Sequence, residues 1–313
     1  MPSSIRAFGT AEMTLAADPI DSPRAKAPGI LQTLWRDKPA LVAAVFLGLV
    51  GLCMIFGPSL LGDQARAMNL MARNTPPFSL DKGWLYVLGA DNLGRSVLAR
   101  IVVASRNTVL IASTAMILAM AIGTILGMVA GYRGGWLSTL ILRLADAIMS
   151  FPSLLLAVVV LYVFDTGAFN VVVVLALSRV PIFIRTVRAE VLEIKERQFV
   201  IGARAMGAGL PRILFVHIAP MILPTLLTLG AMEMAFIMLV ESSLSFLGIG
   251  IQPPDVSWGL MVADGRNYVS TAWWVSFWPG LAIMLVTMSL NLLANWLRVA
   301  ADPLQRWRLE VGA

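Results

Sequence analysis

Residues Asn107–Tyr132 read NTVLIASTAMILAMAIGTILGMVAGY, a run of 26 residues without one charged side chain. A helix needs roughly 20 such residues to cross the hydrocarbon core of a bilayer. Two more uncharged runs flank it: Pro39–Gly62 with 24 residues and Asn267–Leu297 with 31. Across the 313 residues, 58% are hydrophobic and 13% are charged, against about 25% charged in soluble domains. Mean hydropathy is +0.81. The chain is an all-α polytopic membrane protein on this reading.

Within the first run, Gly123, Gly127 and Gly131 repeat at intervals of four. Glycines one turn apart leave a flat helix face on which a neighbouring backbone can lie close, so this span predicts a packed helix–helix seam. Working outward, about six spans are expected, at 40–61, 107–131, 139–164, 168–188, 217–247 and 277–300, with the fourth kinked at Pro181. Even numbering puts both termini on one side. If that side is the cytoplasm, the inner segments carry 17 of the 24 Lys and Arg residues and the outer ones carry 7. The positive-inside rule favours that orientation, so the net charge of +6 reflects topology rather than binding to nucleic acid.

The segments divide accordingly. Residues 1–38 form a flexible cytoplasmic tail that makes a poor signal peptide, which leaves 39–62 as a retained first helix. Residues 63–106 are an extracytoplasmic segment, 107–300 a five-helix core with a cytoplasmic loop at 190–216, and 301–313 a cytoplasmic C-terminal tail. In the outer segment, an amphipathic interfacial helix is expected from Ser96, with Arg95, Arg100 and Arg106 facing water or headgroups. The single cysteine, Cys53, can form no intrachain disulfide and reads as packing.

Charges inside a membrane cost roughly 2.5–3.5 kcal/mol each at mid-helix and usually face protein or water. Asp146 follows Arg143 closely enough to pair with it. Glu233 and Glu241 lie on one side of the fifth span, which suits an aqueous cavity, a substrate path or a partner helix. His217 stands without a metal-binding or catalytic companion: there is no HExxH, CxxC or carboxylate cluster. No phosphate-binding GxxxxGK[ST] occurs either, so no catalytic residue, metal or cofactor is assigned to this chain.

The break between the fourth and fifth spans, QFVIGARAMGAGLPRILFVHIAP at Gln198–Pro220, is more elaborate than a reversal of direction requires. From Glu190 onward the pattern is helical, with Phe199, Ala203 and Met206 forming an apolar stripe and Arg197 and Arg204 a neighbouring basic face. Gly207 and Gly209 permit a turn, and Pro211 suits the first turn of the next helix. Periodicity alone fits both an inner-leaflet helix and a helix seated in a protein groove.

That segment carries a resemblance. Permease subunits of binding-protein-dependent ABC importers bear a cytoplasmic loop reading E-A-A, three residues, G, nine residues, I-x-L-P; Ala203, Gly207 and Pro220 fall at those spacings. Ile201 stands in place of the Glu, Gly202 of the first Ala, His217 of the Ile and Ala219 of the Leu. Four ordered stretches, LGADNLGRSVLARIVVASRNTV, FPSLLLAVVV, VRAEVLEIKERQFVIGARAMGA and ESSLSFLGIGIQPPDVSWGLM, resemble the second permease subunit of dipeptide, oligopeptide and nickel importers over about residues 85–305.

The resemblance implies a type I importer permease fold in a bacterial or archaeal inner membrane. It implies a homologous permease partner, an extracytoplasmic solute-binding protein and two ATPase subunits that hold the ATP and magnesium. Phe199, Ala203, Arg204, Met206, Gly207 and Pro220 would couple to an ATPase. Glu233 and Glu241 would border the substrate path. Gln252, Pro253, Pro254 and Trp258 would shape an external gate or the binding-protein dock, unless Trp258 is only an interfacial anchor. The alternative, a stand-alone secondary transporter or channel, would call for inverted repeats with broken helices, and no such repeat is visible.

Overall fold

The computed structural model describes residues 30–164 and 167–301. Of the two tails read from the sequence, residues 1–29 and 302–313 lie outside that range. The rest of the first one is helical: α1 covers Ile30–Arg36 and α2 covers Lys38–Arg66. Asp37 separates them, and its side chain accepts a hydrogen bond from Ala40 N at 3.1 Å, an N-cap.

The remaining helices are α3 (Val97–Arg133), α4 (Gly135–Met149), α5 (Ser153–Phe164), α6 (Ala168–Ile194) and α7 (Gln198–Ala205). They are followed by α8 (Leu210–Phe246), α9 (Trp258–Gly265) and α10 (Trp274–Ala301). Five of these, α2, α3, α6, α8 and α10, are long and apolar enough to cross a membrane, and the bent pair α4–α5 makes up to six.

Three boundaries differ from the sequence expectation. The helix from Ser96 is not a separate interfacial element but the first turns of α3, whose N-cap hydroxyl accepts from Ala99 N at 3.1 Å. With no helix breaker between Val97 and Tyr132, the two readings fuse into one 37-residue rod. The third span, expected over 139–164, bends by 87° between α4 and α5. Pro152 explains this, since it disfavours helical backbone at Phe151. The fifth begins earlier than expected, and its turns at Ile213–Ile218 are π-helical. They end where Pro220 removes a backbone donor.

The expected seam exists, and its partner is α6. A methyl group added at Gly127 would lie 2.8 Å from Val187 Cβ, and one at Gly131 would lie 2.8 Å from Val191 Cβ. At Gly123 it would lie 2.9 Å from the Val180 carbonyl. Val187 and Val191 are buried and sit one turn apart, so the two helices run in matched register. Polar ties close the seam at the C-terminal ends of α3 and α6. Asp146 pairs with Arg185 of α6 rather than with Arg143, while Arg188 Nε donates to Ser138 Oγ at 3.2 Å. Lys195 Nζ donates to the Gly131 carbonyl at 3.3 Å, a cation near the C-terminal end of α3 where the helix dipole favours it.

A β-branched side chain at Gly127 must push α3 off α6, a strain of about 1–3 kcal/mol or more. Gly127→Val should lower the melting temperature of the detergent-solubilised protein and its yield by size exclusion. Gly48→Val, at a position with nothing within 4 Å, should leave both unchanged. Equal melting curves would show that the seam is not under packing constraint.

Candidate functional site

At one end of the bundle, α7 projects between α6 and α8. The helical pattern does not run through from Glu190: the chain breaks at Lys195–Arg197, and Arg197 is extended. Arg197 Nη2 donates to Glu193 Oε1 at 2.7 Å across this break. The helix then lasts eight residues and ends in a two-bond cap, Ala208 N to the Ala203 carbonyl and Gly207 N to the Arg204 carbonyl, both 3.0 Å. This is a Schellman closure, which needs a left-handed residue after the helix; Gly207 supplies it at φ 83°.

Within this helix the side that meets the bundle is centred between two residues. Val200 and Ala203, three residues apart, are the buried pair that faces the protein. Phe199 is 43% exposed and Met206 85%. The expected stripe of Phe199, Ala203 and Met206 is therefore divided: Ala203 packs inward, and the two large side chains face out. Arg204 is exposed, with its guanidinium 5.4 Å from the centre of the Tyr132 ring at the end of α3. Pro220 is exposed on the first α-helical turn after the π segment.

The two acids of α8 are not a shared constellation. Glu233 lies 3.5 Å from Arg179 Nη1 of α6, an ion pair longer than a hydrogen bond, and the Arg179 guanidinium stacks 3.9 Å from the Phe236 ring centre. Glu241 is fully buried, accepting from Ser245 Oγ at 2.8 Å and Ser242 Oγ at 3.4 Å. Ser245 Oγ also accepts from Ile251 N at 3.1 Å, so this carboxylate secures the turn after α8. Glu241 is enclosed among the described residues.

Trp258 is also enclosed. It is 2% exposed, its indole Nε1 donates to the Ile101 carbonyl at 2.9 Å, and its backbone N donates to Thr108 Oγ1 at 3.0 Å. This fixes α9 against α3 and overturns the reading of Trp258 as an interfacial anchor. Gln252 Nε2 donates to the Gly248 carbonyl at 2.8 Å, and Pro253 and Pro254 are exposed on the wall of a cavity of about 910 Å³.

The same wall holds a cluster that sequence reasoning missed. Asp91 is fully buried; its Oδ1 accepts from Leu93 N and Arg95 N at 2.9 Å each. Its Oδ2 accepts from Arg95 Nε and Arg100 Nη1, both at 2.7 Å. Arg100 Nη2 reaches Asp264 of α9 at 3.1 Å. Arg100 is 4% exposed, a correction to its expected place in water. Its position one turn into α3, on the same face as Ala104, was the available signal.

Fold and site together define a multi-pass membrane protein with a stiff helical handle at one end and a charged, loop-capped cavity at the other. Comparison with known proteins gives the family. Residues 123–307 match the binding-protein-dependent transport system inner membrane component family, and the chain belongs to it. It is 34% identical over 294 residues to a di/tripeptide transport system permease protein of Pseudomonas aeruginosa, covering 91% of this chain and 96% of that one. It is 33% identical over 273 residues to a nickel transport system permease protein of Escherichia coli, covering 87% and 96%. A glutathione transport system permease protein of Pectobacterium atrosepticum is 38% identical over 216 residues, covering 69% and 72%. The protein is a multi-pass inner-membrane permease component.

Removing Asp91 leaves Arg100 buried with one partially exposed partner, and breaking such a pair costs about 3–5 kcal/mol. Asp91→Ala should make the segment 67–96 sensitive to protease in sealed vesicles and lower the melting temperature. Asp264→Ala should do so far less, because Arg100 keeps Asp91. Equal behaviour of the two variants would show that Asp91 is not the anchor.

Proposed function

We propose that this chain is one of two homologous permease subunits of an ATP-driven importer, and that α7 is the element through which ATPase subunits move it. The observation that carries the reading is the handle itself. Its apolar side chains split between a buried pair that holds it and three exposed ones left for a partner, Ile201 together with Phe199 and Met206 of the stripe. Burying Phe199 and Met206 would contribute on the order of 1.5–3 kcal/mol each. Helix-in-groove recognition uses such a short, rigid, apolar face.

Two ATPase subunits would sit under the handles and a solute-binding protein on the opposite surface, with both termini of this chain on the ATPase side. ATP and magnesium would be held by the ATPase chains. Closing the ATPase pair would shift the spans between inward- and outward-open arrangements, which requires ATP to bind one state more tightly than the other. The solute would be a peptide or a related small molecule, the class shared by the names of several relatives.

Isolation in mild detergent should bring two ATPase chains and a second permease with this one; a stand-alone transporter would come alone. Gly207→Val forces a β-branched residue to φ 83°, which costs on the order of 1–3 kcal/mol, while nothing within 4 Å opposes its bulk. Solute-stimulated ATP hydrolysis in the reconstituted complex should fall by about tenfold or more, the factor that ~1.4 kcal/mol represents. Membrane insertion should be unaffected. Undiminished stimulation in this variant would overturn the coupling role of α7.

A further inference from the structure

We propose that the cavity beside the outer ends of α2 and α3 binds a small zwitterionic solute, its carboxylate against Arg66 and Arg106 and its ammonium group toward Asp255. The inference deepens the proposed function, from which it takes the solute class and the outward orientation of this end.

Four arginines line the cavity, Arg66, Arg95, Arg100 and Arg106. Two of them are already compensated: Arg95 and Arg100 are tied to buried Asp91, and Arg100 also to Asp264. Arg66 and Arg106 are exposed and have no acidic partner among the described residues. Asp255, also exposed and on the same wall, has a carboxylate with no hydrogen bond or ion pair among them. The wall therefore presents uncompensated charge of both signs, two cations and one anion, around a space of about 910 Å³. Cavities of roughly 300–1,000 Å³ are the size that holds small ligands.

The charges that are spent serve to stiffen this wall. Asp91, Arg100 and Asp264 join the outer loop to α3 and α9. Asn107 Nδ2 donates to the Val256 carbonyl at 2.9 Å and fixes the loop that carries Asp255. A guanidinium presents two parallel N–H donors to a carboxylate, which gives direction as well as charge. A concave wall strengthens the field of such groups relative to a flat surface. A peptide with free ends offers the complementary pair, one carboxylate and one ammonium group. A lipid phosphate would satisfy the arginines but leave Asp255 facing a second anion.

The test is residue-resolved modification of arginines by phenylglyoxal, followed by mass spectrometry on the complex as isolated, without ATP. Trialanine should slow modification of Arg66 and Arg106 severalfold, trialanine amide should not, and Arg133 at the other end of α3 should be unaffected by both. Asp255→Asn should raise the trialanine concentration needed for protection and leave that of N-acetyl-trialanine unchanged. Absent protection, or equal protection by the amide, would overturn the site. So would protection that follows phosphatidylglycerol in the surrounding nanodisc instead of trialanine, which would identify a headgroup. The readout needs no ATPase: missing ATPase chains would refute the proposed function and leave protection intact, while lost protection in an ATP-hydrolysing complex would refute this site alone.

Discussion

Direct contact between α3 and α6 along three glycines is the constraint on which the rest of the molecule depends. In a bilayer, lipid tails are as apolar as leucine, so helices gain little from hiding apolar surface and associate chiefly through close packing. Gly123, Gly127 and Gly131 supply that closeness by removing the side chains that would hold the helices apart. Register then follows. Val187 and Val191 meet successive glycines, so a shift of α6 by one turn would keep the pattern, while a shift by one or two residues would not. Arg188, Lys195 and Arg185 add polar ties at the end nearer α7, where the choice of turn matters most because the handle begins a few residues later.

At the opposite end the molecule uses charge where the seam uses shape. Four groups donate to the buried carboxylate of Asp91, and one of them, Arg100, extends the link to α9. Such networks are favourable only when fully satisfied, because each buried charge left alone costs several kcal/mol. Trp258 reinforces the same junction with its indole and its backbone N–H both engaged on α3. Helix α3 therefore takes part in the glycine seam, the Asp91 network and the packing of α9.

Much of this was legible in the chain. Long uncharged runs specify spans because a bilayer leaves few alternatives, and the glycine spacing marked the seam correctly. The turn at Gly207 was legible because a Schellman closure calls for a residue tolerant of positive φ. Phase and partner were not. Ala203 was placed on the outward stripe because its spacing puts it on one face with Phe199 and Met206, whereas the face that meets the bundle is centred between Val200 and Ala203. Spacing within so short a helix does not say which side is covered. Arg100 was placed in water because its carboxylate partners, Asp91 and Asp264, lie 9 and 164 residues away. Asp146 illustrates the same limit: the local partner Arg143 was nearer in sequence, but Arg185 is the one that packs across the helix pair.

The geometry also bears on how force at the handle could reach the far surface. The handle is held on two sides, by α8 through the short turn after Gly207 and by α3 through Arg204 over Tyr132. At 1.5 Å per residue, α3 extends about 55 Å, from that contact to the cavity that Arg100 and Arg106 line. Close-packed interiors deform little and tend to switch between discrete arrangements, so a displacement of one end of a rod seated on α6 is carried to the other. On the proposed reading, the weakest joint is then the bend between α4 and α5. Those helices turn by 87° at Pro152 and are not part of the glycine seam, so they can change angle without breaking it. A permease of this design would move α3, α6 and α9 as one unit and absorb the difference at that bend.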